Sequence, residues 1–269
     1  MLLSPHAIGW RLRFSLYAAT GLAAVFLLLP IVFIVLLSFG SSQWLVFPPP
    51  AWTTKWYAVF FANPEWMASV STSVKIALLT TGFSIALGVP SAFSLVRGRF
   101  PGRTFLYTLF TLPMIVPLVI IAIALYALFL KLGMIGSLLA FVVAHVLVAL
   151  PFSIILIVNA LKQFDKSVED AAVICGASRP QAIYKVTLPA LRGSIIASAL
   201  FAFLSSWDEV VLSIMMASPT LQTLPVKMWS TLQQDLTPVI AVASSLLIML
   251  TLIFMAIAAL VRKKNPFSL

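Results

Sequence analysis

The sequence predicts an all-α membrane protein of six transmembrane helices with both termini cytoplasmic, and three observations carry that prediction. The first is composition. Of 269 residues, 62% are hydrophobic and only 9% are charged, with a mean hydropathy of +1.11. Soluble domains run nearer ~45–50% apolar and ~25% charged, so lipid must be the solvent for most of this chain. The second is six apolar runs of about 20 residues or more, the length a helix needs to cross a hydrocarbon core of ~30 Å. The third is the one-sided distribution of Lys and Arg around those runs.

The runs cover residues 14–39, 70–96, 105–130, 137–161, 194–216 and 239–261. Backbone inside a bilayer must satisfy its own hydrogen bonds, so each run is read as a helix. A basic start and an apolar run also fit a cleaved signal sequence, but the first run, at ~26 residues, exceeds the apolar region of such a signal. The second run carries Lys75. Pro113 and Pro117 in the third and Pro151 in the fourth are expected to kink helices around a cavity. The fifth carries the adjacent acids Asp208 and Glu209 near its end. No repeat, low-complexity tract or soluble-domain linker is visible, so residues 1–269 read as one membrane domain.

Orientation follows from the basic residues. Arg11 and Arg13 precede the first run, and Arg97, Arg99 and Arg103 lie between the second and third. Lys162, Lys166, Arg179, Lys185 and Arg192 lie between the fourth and fifth, and Arg262, Lys263 and Lys264 follow the sixth. These are thirteen of the 17 basic residues; Lys55, Lys75, Lys131 and Lys227 fall on the other side. The positive-inside rule then puts both termini and the loop at 162–193 in the cytoplasm. A net charge of +10 would suggest nucleic acid in a soluble protein; here it sets orientation, and no nucleic-acid partner is expected.

Other chemistries are thinly provided for. Cys175 is the one cysteine, which excludes an internal disulfide and a cysteine-based zinc site. His6 and His145 are too few and too far apart for a metal site. No phosphate-binding G-x-x-x-x-G-K-[ST], H-E-x-x-H or nucleophile elbow occurs. The chain is expected to be no enzyme by itself and to bind no cofactor.

The segment 167–189, SVEDAAVICGASRPQAIYKVTLP, is a polar island between the fourth and fifth runs. Ser167 with Asp170 three residues later reads as a capping box. Val168, Ala171, Ala172 and Cys175 recur at i, i+3, i+4 and i+7, giving one small-residue face. Gly176 is a natural stop, Pro180 after Ser178 opens a second short helix, and Pro189 ends it. A helix this short is marginal alone in water. Its small residues suit docking on another protein, whereas a helix lying on lipid headgroups would show large aromatic anchors.

Asp170-Ala171-Ala172, Gly176 after three residues, and Val186-Thr187-Leu188-Pro189 after nine more form a recognisable spacing. It resembles the coupling motif of permease subunits from binding-protein-dependent, ATP-driven importers, written Glu-Ala-Ala, three residues, Gly, nine residues, Ile-x-Leu-Pro. Asp stands for Glu at 170, beside Glu169, and Val for Ile at 186. Further segments are similar to the spermidine/putrescine subgroup and its opine-transporting relatives. They include Phe47-Pro48-Pro49-Pro50, Trp56-Tyr57, Asn63-Pro64-Glu65-Trp66, Leu112-Pro113, Pro117, Ala144-His145, Leu150-Pro151, 207–211 and Thr223-Leu224-Pro225.

The resemblance implies the type I ABC importer permease (MetI-like) fold in a bacterial cytoplasmic (inner) membrane. It implies coupling to an ATPase through Glu169, Asp170, Ala171, Ala172, Gly176, Ala177, Leu188 and Pro189. It also implies three partners: a second homologous permease, an ATPase dimer that holds ATP and magnesium, and a periplasmic or extracytoplasmic solute-binding protein. The candidate substrate pathway comprises Pro117, His145, Trp207, Asp208 and Glu209, and the expected cargo is a small polar or cationic solute such as a polyamine or opine. Spermidine and putrescine permeases commonly carry an acid directly after the proline that matches Pro117; here it is Leu118.

Acids at the end of an apolar helix are costly and default to function. Asp208 and Glu209 either face a cationic cargo, or cap and ion-pair at the outer interface with Lys75 or Lys227. Trp44, Trp52, Trp56, Tyr57 and Trp66 read mainly as an interfacial belt, the alternative being contact with a docking protein or cation–π contact with cargo. An alternative function, an ion-coupled secondary transporter of small organic cations, would bring inverted repeats and ionisable residues at the midplane of several helices. Neither pattern is in the sequence. A channel subunit would bring a filter motif or a ring of pore charges, also absent here.

Overall fold

A computed structural model describes residues 10–263, and among them no strand forms; regular structure is helical apart from isolated bridges pairing Gly40 with Trp52 and Ser218 with Leu221. His6 and Lys264 lie outside the described residues, and the side chains of Arg11, Arg262 and Lys263 are not described. The chain divides into two compact units: residues up to Ala62 with Thr231–Ile248, and Asn63–Ser230 with residues from Met249 on.

In the first unit, helix α1 (Trp10–Leu37) exposes its side chains along most of its length, Phe14 and Phe26 among them. A helix apolar on every side needs lipid or another helix around it. The loop after it is tied down locally. Ser38 Oγ and Tyr57 Oη are 2.8 Å apart, and Trp56 Nε1 donates to the Gly40 carbonyl at 2.9 Å. Tyr57 and Trp56 sit on or beside a short helix, α2 (Lys55–Ala62), that the hydropathy runs did not predict. The expected aromatic belt therefore divides. Trp44 and Trp52 are exposed, Trp56 and Tyr57 brace the loop, and in the second unit Trp66 is buried.

The second unit holds the longest helix, α3 (Pro64–Arg97). Asn63 caps it, its Oδ1 accepting from the backbone of Glu65 at 2.9 Å and Trp66 at 3.2 Å, and Pro64 occupies a position where no amide is needed. Most of the buried residues of α3 are small, Ser69, Ser73, Ala77, Thr80, Ser84, Gly88 and Ala92, with Trp66, Ile76 and Leu95 among them. Small residues let membrane helices approach closely where no hydrophobic effect drives them together. Gly88 shows how closely: a Cβ built there would lie 3.1 Å from the Cβ of Ser153.

The third apolar run is not one helix. It divides into α4 (Arg103–Thr111), a 3-10 turn over Leu112–Met114, and α5 (Leu118–Lys131), with a 98° bend between the two parts. Pro113 and Pro117 remove backbone donors, and Pro117 is extended at ψ 129°. α6 (Leu138–Gln163) by contrast runs unbroken through the buried Pro151. Its N-cap Ser137 accepts from the Ala140 amide at 3.2 Å.

Three short pieces follow. α7 is Lys166–Ile174 and α8 is Arg179–Ala182; a π turn over Ile183–Thr187 then leads into α9 (Leu188–Ala190). α10 (Arg192–Trp207) starts after a 68° bend. The expected fifth helix stops at Trp207, and α11 (Val211–Met216) resumes after residues 208–210. α12 (Leu224–Gln234) and α13 (Pro238–Lys263) complete the order, α12 again unforeseen. Among the described residues, four helices are long and apolar enough to cross a bilayer, or up to six if each bent pair counts as one span. The core of this unit is α3, α6 and α10 packed on one another.

Candidate functional site

The polar island folds as the sequence outlined, with two corrections. The cap of α7 is Asp165 rather than Ser167: its Oδ1 accepts from the Ser167 amide at 2.9 Å. Hydrogen bonds from Ser167, side chain first and backbone second, hold the Asp165 carboxyl below its ordinary range. At the other end Gly176 has φ +96°, its amide donates to Val173 O, and the Ala177 amide donates to Ala172 O, each at 3.0 Å. That pair of bonds is a Schellman stop, and it needs a residue without Cβ strain at Gly176.

Ser178 then caps α8 in a reciprocal box with Gln181, the two bonds measuring 3.4 and 2.9 Å, and Pro180 is in the first turn. The second correction is Pro189, which does not end the helix. It sits in the first turn of α9, after the π turn has widened the backbone, where its missing amide costs little.

α7 has two faces. Val168, Asp170, Ala171, Ile174 and Cys175 are exposed, whereas Glu169, Ala172 and Val173 are half-buried, so the expected small-residue face is altered: Ala172 turns inward and the larger Ile174 faces out. Glu169 Oε2 accepts from Thr187 Oγ1 at 2.9 Å and lies 3.6 Å from Arg97 Nη2. Of the eight residues expected to couple, Asp170, Ala171, Gly176 and Pro189 are exposed, while Glu169, Ala172, Ala177 and Leu188 are half-buried. Arg97 and Thr187 carried no such expectation. Arg97 entered the sequence only as a positive charge, and no local pattern announces a partner so far along the chain.

The two breaks form the second part of the site. Val116 and Leu118, flanking Pro117, and Val211, just past Glu209, pack against one cluster that includes Ile121, Phe141, Leu212 and Met216. The interruptions of the third and fifth runs thus border the same core. Asp208 closes α10 and is exposed, as is Pro117. Glu209 Oε1 accepts from the Leu212 amide in the first turn of α11 at 2.9 Å. Lys227, offered by the sequence as a partner for these acids, pairs with Glu65 instead. Trp207 is buried and stacks on Phe203, with centroids 6.0 Å apart and planes at 14°.

Behind the breaks runs a buried polar chain. His145 is 2% exposed. Its Nδ1 lies 2.7 Å from Ser206 Oγ and its Nε2 lies 3.1 Å from Ser213 Oγ. Ser206 Oγ in turn donates to Thr80 Oγ1 at 3.4 Å. Four elements, α3, α6, α10 and α11, meet through these groups. His145 was expected among pathway residues; its hydroxyl partners had no signal in the sequence.

Glu65 and Arg97 stand at opposite ends of α3, about 50 Å apart at helical rise. The Glu65–Lys227 pair therefore marks one end of the unit, and the Arg97–Glu169 pair marks the end that carries α7. Long apolar helices, two broken spans and a structured polar loop between the fourth and fifth runs define a multi-pass helical membrane protein.

Residues 84–265 match the family described as binding-protein-dependent transport system inner membrane component, and the chain belongs to that family. It is a multi-pass inner-membrane protein. Among its relatives is the spermidine/putrescine transport system permease protein PotC of Escherichia coli K12, 28% identical over 88% of this chain and 90% of its own. The putrescine transport system permease protein PotI of the same strain is 31% identical over 89% and 85%. The sulfoquinovosyl glycerol transport system permease protein SmoH of Agrobacterium fabrum is 27% identical over 83% and 80%.

Among solved structures, a bacterial ABC transporter that imports the acidic polysaccharide alginate matches with TM-score 0.71 at 18% identity over all of both chains. An inward-facing MetNI methionine ABC transporter matches with TM-score 0.59 at 18% identity, over 72% of this chain and 94% of that one. These likenesses show the fold, which is that of ABC importer permeases.

Proposed function

We propose that this chain is a permease subunit of an ATP-driven importer that moves a small polar or cationic solute, a polyamine, opine or related compound, into the cytoplasm. The observation that carries the reading is the segment 165–191. Its motif spacing folds into a capped helix, a Schellman stop and a second capped helix, presenting Val168, Ala171, Ile174 and Cys175 outward. An exposed apolar face on a nine-residue helix is poorly stable in water unless another protein covers it.

In this reading the covering protein is one subunit of an ATPase dimer that binds ATP and magnesium. A second, homologous permease completes the pathway, and a solute-binding protein delivers cargo on the opposite side. Both termini and the 162–193 loop are cytoplasmic, in keeping with the basic residues at the Arg97 end. The breaks at 115–117 and 208–210 line the pathway, because non-helical backbone at membrane depth is tolerated only where protein buries it or water reaches it. Asp208 there offers a negative charge to a cationic cargo.

The test is to purify the chain from gently solubilised native membranes and identify its companions by mass spectrometry. A second permease and an ATPase in near-stoichiometric amounts are expected. A chain that purifies alone, and still transports in vesicles without ATP, would overturn the proposal in favour of ion-coupled transport.

A further inference from the structure

Glu169 sits where three elements meet. It belongs to α7, accepts from Thr187 in the π turn that leads toward α10, and faces Arg97, the last residue of α3. Thr187 is fully buried, and the side chains of Arg97 and Glu169 are 24% and 12% exposed. A residue so placed is turned away from the outer face of α7.

The Arg97 guanidinium is under-satisfied. Its Nε and Nη2 are buried without a hydrogen-bond partner, and the 3.6 Å approach of Nη2 to Glu169 Oε2 is longer than a hydrogen bond. Arginine and carboxylate groups in good geometry meet at about 2.8 Å, often through two parallel bonds. A relative shift of α7 and α3 of about 1 Å would close this gap, and a shift the other way would open it. The pair is therefore sensitive to the position of α7. Its other attachments lead inward, since α3 and α10 are two of the three core helices and α10 ends at Asp208.

We propose that Arg97, Glu169 and Thr187 form a latch that makes α3 and α10 follow α7, with Glu169 acting as a positioning residue rather than a docking contact. The proposal rests on the permease reading above. Coupling between distant sites requires an element that both bias, and this junction supplies one. The outer face of α7 is left to the ATPase. Loss of the latch then leaves ATPase binding and hydrolysis in place, while the breaks no longer respond.

The experiment follows position 208 directly and needs no knowledge of cargo. In the full complex, purified through this chain with Cys175→Ser and Asp208→Cys, the alkylation rate at 208 is measured before and after trapping with ATP and vanadate. Trapping is expected to change the rate by about tenfold. Arg97→Glu or Glu169→Arg should cut that change to less than about twofold, with ATPase recovery and hydrolysis retained. The double exchange should restore most of it, because the pair is then re-formed with reversed polarity.

Thr187→Val, which introduces no buried charge, should reduce the response by about threefold. Single reversals that respond like the parent, a double exchange no better than the singles, or loss of the ATPase from the Glu169→Arg complex would each overturn the latch. A parent complex that holds no ATPase, or whose position 208 ignores trapping, would overturn the permease reading and the latch with it.

Discussion

His145 Nδ1 lies 2.7 Å from Ser206 Oγ, linking the N-terminal third of α6 to the last turn of α10, while the opposite nitrogen lies 3.1 Å from Ser213 in α11. One imidazole thus spans the interruption at 208–210 and fixes both of its edges. Polar groups buried this deeply are costly when a partner is removed, because the survivor stays desolvated.

His145→Ala should therefore destabilise the chain by about 2 kcal/mol, and Ser213→Ala, which removes the longer bond alone, by about 1 kcal/mol. Thermal unfolding of the detergent-solubilised protein measures both. Equal, negligible effects would mean that the break is held by apolar packing alone.

Gly88 is a contact point between helices rather than a flexible one. Gly88→Val should cost about 2 kcal/mol, because the new side chain meets Ser153 across the α3–α6 interface. Pairing it with Ser153→Gly should recover part of the loss. The same unfolding measurement checks the pair, and a fully additive double variant would place the strain elsewhere.

Gly176 terminates α7 with φ +96°. Gly176→Ala should cost about 1–2 kcal/mol locally through left-handed strain. Gly176→Pro also removes the amide that bonds Val173 and should abolish uptake while leaving membrane insertion intact. ATP-dependent uptake in cells, set beside the membrane content of the protein, separates the two effects. Unimpaired uptake by Gly176→Pro would refute the coupling role of the loop.

Asp208 is exposed at the break, whereas Glu209 is committed to the Leu212 amide. Asp208→Asn should raise the apparent KM for a cationic cargo about fivefold, the equivalent of about 1 kcal/mol of Coulomb attraction near water. Kinetics that do not change would assign Asp208 to the end of α10 and nothing more.

Hydropathy made the long spans legible because lipid exposure is a property of composition: α1, α6 and α13 lie within a few residues of runs 14–39, 137–161 and 239–261. It did not place the breaks: Asp208 and Glu209 marked the fifth run as uneven, but charge alone does not say that the helix stops there. Pro113 and Pro117 hinted at one break, but Pro151, chemically the same, lies within an intact helix. Local chemistry explains why Gly176, Ser178 and Pro180 were read correctly, since caps and stops depend on near neighbours. Asp165 and Ser167 are both good caps two residues apart, and only the geometry separates them. The pairs Glu169–Thr187 and His145–Ser206 join residues 18 and 61 apart, and sequence spacing carries no trace of such contacts.

Cys175 closes α7 on its exposed side, and it is the chain's one thiol. The native protein thus carries its own single-site reporter: a fluorophore attached there needs no engineered cysteine and labels one position. Any protein seated on the outer face of α7 shields that sulfur from reagent. The modification rate at Cys175 accordingly doubles as a gauge of how much of the chain in a membrane has that face covered.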